Sequence, residues 1–382
     1  MIADAPVCHI HVRGASVPGS LPDGTVVSSN SARCHRARAG EKSGRHLLSG
    51  GLPGTAGPHL RGARVTETVD GEFSHEPVML AEILEVFGTL ADGVFLDATL
   101  GGAGHASALM SAHPSMRLFG LDQDSDAIEA AQARLDAAGA SGRATLRRAR
   151  FDSVSSVVVE EGVGSLAGAL FDLGVSSHQF DSAARGFSYR FEAPLDMRMD
   201  DTSALTAHDV VNSYSRERLA TLLRTNADER WASRIAAAVV AARPIETTTH
   251  LAEVVASAIP AAARRTGGHP AKRTFQAVRI EVNSELEILE TALSSVIALL
   301  APGARLAVLS YHSGEDRIVK SVMRDAETGG CTCPPLLPCG CGAHPTVRRV
   351  RAPRTASVHE VNANPRARSA RLRVVERLGG VD

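Results

Sequence analysis

The chain has 382 residues, 44% of them hydrophobic, and a formal net charge of −1. It is long enough for two domains or for one large domain with an insertion, and its near-neutral balance excludes a uniformly basic nucleic-acid binder. No apolar run approaches the ~20 residues of a membrane span, and the six cysteines are too few and too clustered for a disulfide framework, so a cytoplasmic protein is expected.

Residues 1–70 hold ten Gly, five Pro and seven Ser, with eight basic and five acidic residues and no sustained periodicity. That composition predicts a disordered leader, or sequence upstream of the true start. From Phe73 the pattern turns to strands alternating with helices, the signature of a parallel sheet with helices on both faces. Strands are predicted at Val94–Leu100, Leu118–Asp122, Ala144–Phe151 and Leu166–Leu173. A helix begins near His105, and a second spans Ser125–Ala138 with Ser125 and Asp126 as capping residues.

Past Leu173 the rhythm breaks. Residues 185–273 are almost wholly helical in pattern, including Arg216–Leu223, Glu229–Ala242 and Leu251–Ala262. A helix over Val282–Leu300, a Pro302-Gly303 turn and a strand over Arg305–Ser310 restore the alternation. The predicted organisation is an α/β core over 71–184 and 274–382, interrupted by a helical insertion at 185–273. The insertion follows a strand's carboxyl end, so it is expected over the crevice where open parallel sheets bind ligands. From Ala343 to Asp382 there are nine Arg against three acidic residues, a local excess of +6 that suits a polyanion.

The first strand runs into Asp97-Ala-Thr-Leu-Gly101-Gly102-Ala103-Gly104-His105. Glycines there let a ligand meet main-chain groups, and the following helix offers free N–H groups. Asp122 closes the second strand 21 residues after Gly101, placed to accept hydrogen bonds from ribose hydroxyls. A nicotinamide dinucleotide and S-adenosylmethionine both meet that test. The first needs G-x-G-x-x-G to seat a pyrophosphate, whereas this loop has Gly101, Gly102 and Gly104, and Asp97 suits a cationic amino-acid group better. Phe151 after the third strand and Asp172, with Ser176, Ser177 and Gln179, after the fourth fall at the same crevice.

The sequence here resembles the RsmH (MraW) family of bacterial 16S rRNA cytosine-N4 methyltransferases, over about residues 74–377. The resemblance is carried by HEPVML at 75–80, LDATLGGAGH at 96–105, DLGVSSHQFD at 172–181, RGFSYRFEAPLDMRMD at 185–200, HPAKRTFQAVRIEVNSEL at 269–286, SYHSGEDRIVK at 310–320 and NPRARSARLRVVER at 364–377. Gly102-Ala103 and Gly314 depart from the usual family pattern. The resemblance implies a class I, Rossmann-like methyltransferase fold with an inserted helical domain. It also implies S-adenosylmethionine as cofactor and methylation of one cytosine amine in the decoding centre of 16S rRNA in the small ribosomal subunit. The implied cofactor contacts are Ala103, Gly104, His105, Asp122, Phe151, Asp172 and Gln179. A ribosome-assembly factor that binds RNA without catalysis is the alternative from another class, and both monomer and homodimer are compatible with the sequence.

Methyl transfer from a sulfonium is an in-line displacement that needs no metal; the protein must align nucleophile and methyl carbon and accept a proton from the amine. Asp172 and the turn from Gly174 to Ser177 are the candidate acceptors. Phe187, Tyr189 and Phe191 suit stacking on an extruded base, or else anchor the helical insertion. Lys272, Arg273 and Arg279, with Arg348, Arg349, Arg351, Arg366 and Arg368, are candidate phosphate contacts. His312 is expected to touch RNA or to hold Glu315 and Asp316. No catalytic metal is expected; Cys331, Cys333, Cys339 and Cys341, near His344, leave zinc, a reversible disulfide and no function all open.

Overall fold

The structure, a computed structural model, describes residues 77–176, 179, 182–264, 268–334 and 340–379. The expectation for residues 1–70 lies outside them, as do Ser177 and Cys339. Helix α1 (Leu80–Val86) leads into β1 (Val94–Asp97), α2 (Gly104–Ala112), β2 (Arg117–Asp122), α3 (Ser125–Ala137), β3 (Ala144–Arg148), α4 (Val154–Glu160) and β4 (Leu166–Asp172). The alternation read from the sequence is therefore present, with strand ends shifted by a few residues. The cap of α3 is corrected: Asp124, in extended backbone, accepts from the Asp126 N–H, because the residue just before the first helical turn is the one whose side chain reaches that donor.

Helices α5 (Ala207–Ser213), α6 (Arg216–Ala227), α7 (Ala232–Ala241), α8 (Thr248–Ala258), α9 (Ala261–Arg264) and α10 (Lys272–Asn283) follow. The predicted Leu251–Ala262 helix is two helices, because Pro260 offers no N–H and its ring blocks the preceding turn. The predicted Val282–Leu300 helix also divides, at Ser284, which takes φ 52 between α10 and α11 (Glu285–Leu299). The amphipathic pattern runs on through both pieces, so periodicity gave no sign of the break. Chain order ends with β5 (Leu300–Ser310), α12 (Ser313–Thr328), β6 (Val347–Arg349), α13 (Val358–Ala363) and β7 (Arg371–Arg377). The expected Pro302-Gly303 turn is an irregularity inside β5, where the register against β4 jumps from Leu166↔Leu300 to Gly168↔Arg305.

The seven strands form one sheet in the order β3-β2-β1-β4-β5-β7-β6. β1 to β5 are parallel, and β7 enters antiparallel between β5 and β6. Strand alternation sorts the core onto two faces. Leu96, Phe171 and Val308 join Leu293 of α11 and Val319 of α12 on one side; Phe95, Leu170 and Leu309 join Ile83, Leu109 and Leu135 of α1, α2 and α3 on the other. Each such fully buried side chain contributes about 1.5–3 kcal/mol of transfer free energy. A third cluster, from Phe187 through Ile235 and Val255 to Val282, belongs to the helices between β4 and β5. Among the described residues no helix is long and apolar enough to cross a membrane.

Candidate active site

At the carboxyl ends of β1, β2 and β4 stand three acids. Asp97 is buried at 2% exposure, and burial raises its pKa from 3.8 to about 7 against the single Thr99 N–H that it accepts, with Asp172 and Asp122 adding repulsion. Asp122 is likewise raised, to about 6, by burial, opposed by backbone N–H donors. One of its oxygens accepts from Gly101 at 2.9 Å and the other from Asp124 at 3.0 Å, and each keeps a second lone pair for a ligand hydroxyl. The Gly101 backbone, at φ 50, lies in the left-handed region that makes this close approach possible.

Asp172 is raised by burial, partly offset by His105 and by the Tyr311 hydroxyl. Tyr311 O–H donates to its Oδ1 at 2.6 Å, while His105 Nδ1 lies 3.6 Å from its Oδ2. His105 Nε2 sits 2.9 Å from the Val78 carbonyl, which can only accept. A neutral ring therefore carries its proton on Nε2 and turns the Nδ1 lone pair toward Asp172. Burial, then the negative charge of Asp172, pushes the Tyr311 hydroxyl well above its ordinary value, so it remains a donor.

Other predicted residues hold this crevice together. Gly104 is required by packing: a Cβ there would lie 2.6 Å from the Pro77 ring. Ala103 is fully buried in the loop with φ 57. Gln179 is buried and donates to Asp124 at 2.7 Å while accepting from the Ser176 N–H at 3.0 Å. Arg185 reaches the same Asp124 at 3.0 Å and also donates to the Arg198 and Met199 carbonyls. The end of β2 is thus latched to the segment after β4. Phe151 meets Phe171 edge-on at 5.8 Å between ring centres, partly buried beside the strand ends.

Residues expected on RNA divide. Lys272 is exposed, and Arg273 is exposed while donating to the Asp228 carbonyl at 2.8 Å. Arg279 is instead committed to Glu285 through two bonds of 2.8 Å, both side chains largely buried, because the turn at Ser284 brings Glu285 back onto α10. Arg348 is tied to Glu376 and Arg349 to Glu327, whereas Arg351, Arg366 and Arg368 are exposed. His312 caps α12, its Nδ1 accepting from the Gly314 and Glu315 N–H groups, and its Nε2 lies 3.0 Å from Glu315. Asp316 pairs with Arg373. Phe187 is buried and Tyr189 stacks on His269 at 4.2 Å, leaving Phe191 at 54% exposure.

Sequence reasoning missed Tyr311, Asp124 and Arg185. Tyr311 stands next to His312, which drew attention as the more versatile group; only the β4–β5 pairing, with Asp172 opposite Leu309, brings its hydroxyl to Asp172.

A doubly wound sheet of this order, closed by an antiparallel seventh strand, with acids at three adjacent strand ends beside a glycine loop, defines a class I methyltransferase that uses S-adenosylmethionine. The donor set fits that cofactor: buried carboxylates complement its sulfonium and ammonium charges, and Asp122 retains lone pairs for its ribose. The chain belongs to the MraW methylase family, which matches residues 72–378. It is 51% identical to the ribosomal RNA small subunit methyltransferase H of Symbiobacterium thermophilum, over 80% of this chain and 97% of that protein. To the protein of the same name from Thermobifida fusca it is 48% identical, over 80% and 93%. Among solved structures it is similar to a SAM-dependent O-methyltransferase from Thermotoga maritima at 8% identity, with a TM-score of 0.34 and coverage of 79% and 66%.

Proposed function

We propose that the chain methylates the N4 amine of a cytosine in the decoding centre of 16S rRNA, acting in the cytoplasm on the small ribosomal subunit. The observation that carries this reading is Asp172 at the end of β4, held by Tyr311 and His105 at a crevice lined by two further acids. The names of the relatives supply the substrate class, and the motif resemblance supplies the cytosine amine.

When bound, the donor supplies a methyl carbon made electrophilic by its sulfonium. Asp97 and Asp122 would hold the ammonium and the ribose, with Ala103, Gly104 and His105 shaping the loop, Gln179 bracing it and Phe151 offering an apolar face to the adenine. Asp172 accepts a hydrogen bond from the cytosine amine, whose lone pair is otherwise spread into the ring. On transfer the bond from sulfur to the methyl carbon would break, its electron pair staying on sulfur, as N4 bonds to that carbon, and a proton would leave N4 for Asp172, whose carboxyl is made more basic by burial. Tyr311 fixes the carboxylate's orientation, with His105 beside its other oxygen.

The helices of residues 185–273, continuing into α10, receive the RNA. Phe191 offers an exposed ring for a base drawn from its stack, and Lys272, Arg273, Arg351, Arg366 and Arg368 offer positive charge to phosphates. The test is incubation with methyl-labelled S-adenosylmethionine and small subunits that lack the modification. Label in a single cytosine, abolished by Asp172→Asn, is expected. No label in any cytosine, with Asp122→Ala indistinguishable from wild type, overturns the reading.

A further inference from the structure

Methyl transfer leaves one cluster of metal-binding groups unused among the described residues, at the far end of α12. The ligand atoms of Cys331, Cys333 and Cys341 all lie within 4.8 Å of one another, the first two half-buried and the third exposed. The loop that carries them is pinned at its base. Gly329 ends α12 at φ 62, and a Cβ there would lie 2.5 Å from the backbone of His344, so the outgoing and returning arms are in contact. Gly330 N–H donates to Asp325 at 2.9 Å, Cys331 N–H to Thr328 at 3.2 Å and, from the returning arm, Thr346 N–H to Ala326 at 2.9 Å. This closure carries Cys341 back onto Cys331 and Cys333.

Between Gly330 and Thr346 the described residues form no helix or strand and join none of the three hydrophobic clusters. Thiolates on one tetrahedral Zn²⁺ stand about 3.8 Å apart, given a Zn–S bond of about 2.3 Å, so small side-chain rotations complete three sides of a site. Soft sulfur donors select Zn²⁺ over Mg²⁺ or Ca²⁺. We propose that Cys331, Cys333 and Cys341 bind one Zn²⁺, which staples the end of α12 to the start of β6. Three thiol protons are released as three Zn–S bonds form, and the fourth position is left to water or another donor. The sixteen residues of α12 put this staple about 24 Å from Tyr311, so its effect is on stability rather than on methyl transfer.

The test uses the full chain without a histidine tag, purified under reducing conditions. Elemental analysis is expected to find about one zinc per chain, displaced by a mercurial reagent and falling at least tenfold in a Cys331→Ser, Cys333→Ser double variant. That variant melts earlier yet transfers methyl groups at the wild-type rate per folded molecule. Replacement by Co²⁺ is expected to give a thiolate-to-metal charge-transfer band, which decides the matter in the wild-type chain if the double variant does not fold. A reduced chain that takes up no zinc and gives no such band overturns the proposal, as does a disulfide among the three in metal-free protein or unchanged zinc in the double variant.

Discussion

Asp97→Asn gives the sharpest measure of the electrostatics described above. Asp97 titrates at 3.8 in an unfolded chain and at about 7 in the fold, because burial penalises its charge. A raised pKa means that the folded state holds the proton more tightly, so the group's stabilising effect is greatest at low pH and is lost as pH rises from about 4 to about 7. Within that window a pH unit removes up to about 1.4 kcal/mol, less near pH 7 where the folded-state group is half titrated, so about 2 kcal/mol disappears between about pH 5 and pH 7. Asn keeps an oxygen for the Thr99 N–H but carries no charge. Urea unfolding of the ligand-free protein at a series of pH values is expected to show this loss in wild type and a profile flatter by that amount in the variant. S-adenosylmethionine, being cationic, is expected to stabilise wild type more at pH 7.5 than at pH 5.5, a difference the variant lacks. Parallel profiles for the two proteins would refute the claim that Asp97 is protonated in the fold.

Tyr311→Phe removes a donor that favours the charged form of Asp172, so the pKa of that carboxyl rises further. Its methyl-transfer rate is expected to fall about tenfold or more, and the acid-side limb of its pH–rate profile, where rate climbs as Asp172 loses its proton, to move to higher pH. Gly104→Ala drives a methyl group into Pro77 and is expected to cost about 1–3 kcal/mol, read as a lower melting temperature. Arg185→Ala leaves Asp124, which is 2% exposed, with its Gln179 and Asp126 N–H donors but without its cation, and is expected to cost roughly 3 kcal/mol by denaturant titration. Lys272→Ala is expected to leave stability unchanged and to flatten the salt dependence of RNA binding, measured by filter retention. Arg279→Gln is expected to do the reverse, because that guanidinium is spent on Glu285.

What was legible in the sequence is what depends on near neighbours. Short apolar runs alternating with helical stretches marked the strands to within a few positions, and the acids that end β1, β2 and β4 could be named because such a strand's end is also where its apolar run stops. One break within a helix was hidden, since Ser284 takes a left-handed φ inside an unbroken amphipathic stripe, whereas Pro260 is itself a local stop signal that the Leu251–Ala262 reading ran through. Partnerships across the sheet were hidden as well. Nothing local says that Arg279 will be claimed by Glu285, or that Tyr311 rather than His312 faces Asp172; both follow from a turn and a strand pairing that bring distant backbone together.

The placement of β7 sets an order of events during synthesis. The sheet cannot be completed in the sequence in which its strands leave the ribosome: β6 emerges before β7, yet β7 must lie between β6 and β5. Until Arg371–Arg377 is free of the exit tunnel, β5 presents a row of unpaired backbone groups along Arg305–Ser310, an invitation to pairing with another chain. The seven residues Arg371–Arg377 thereby decide whether a nascent chain closes on itself or on its neighbour.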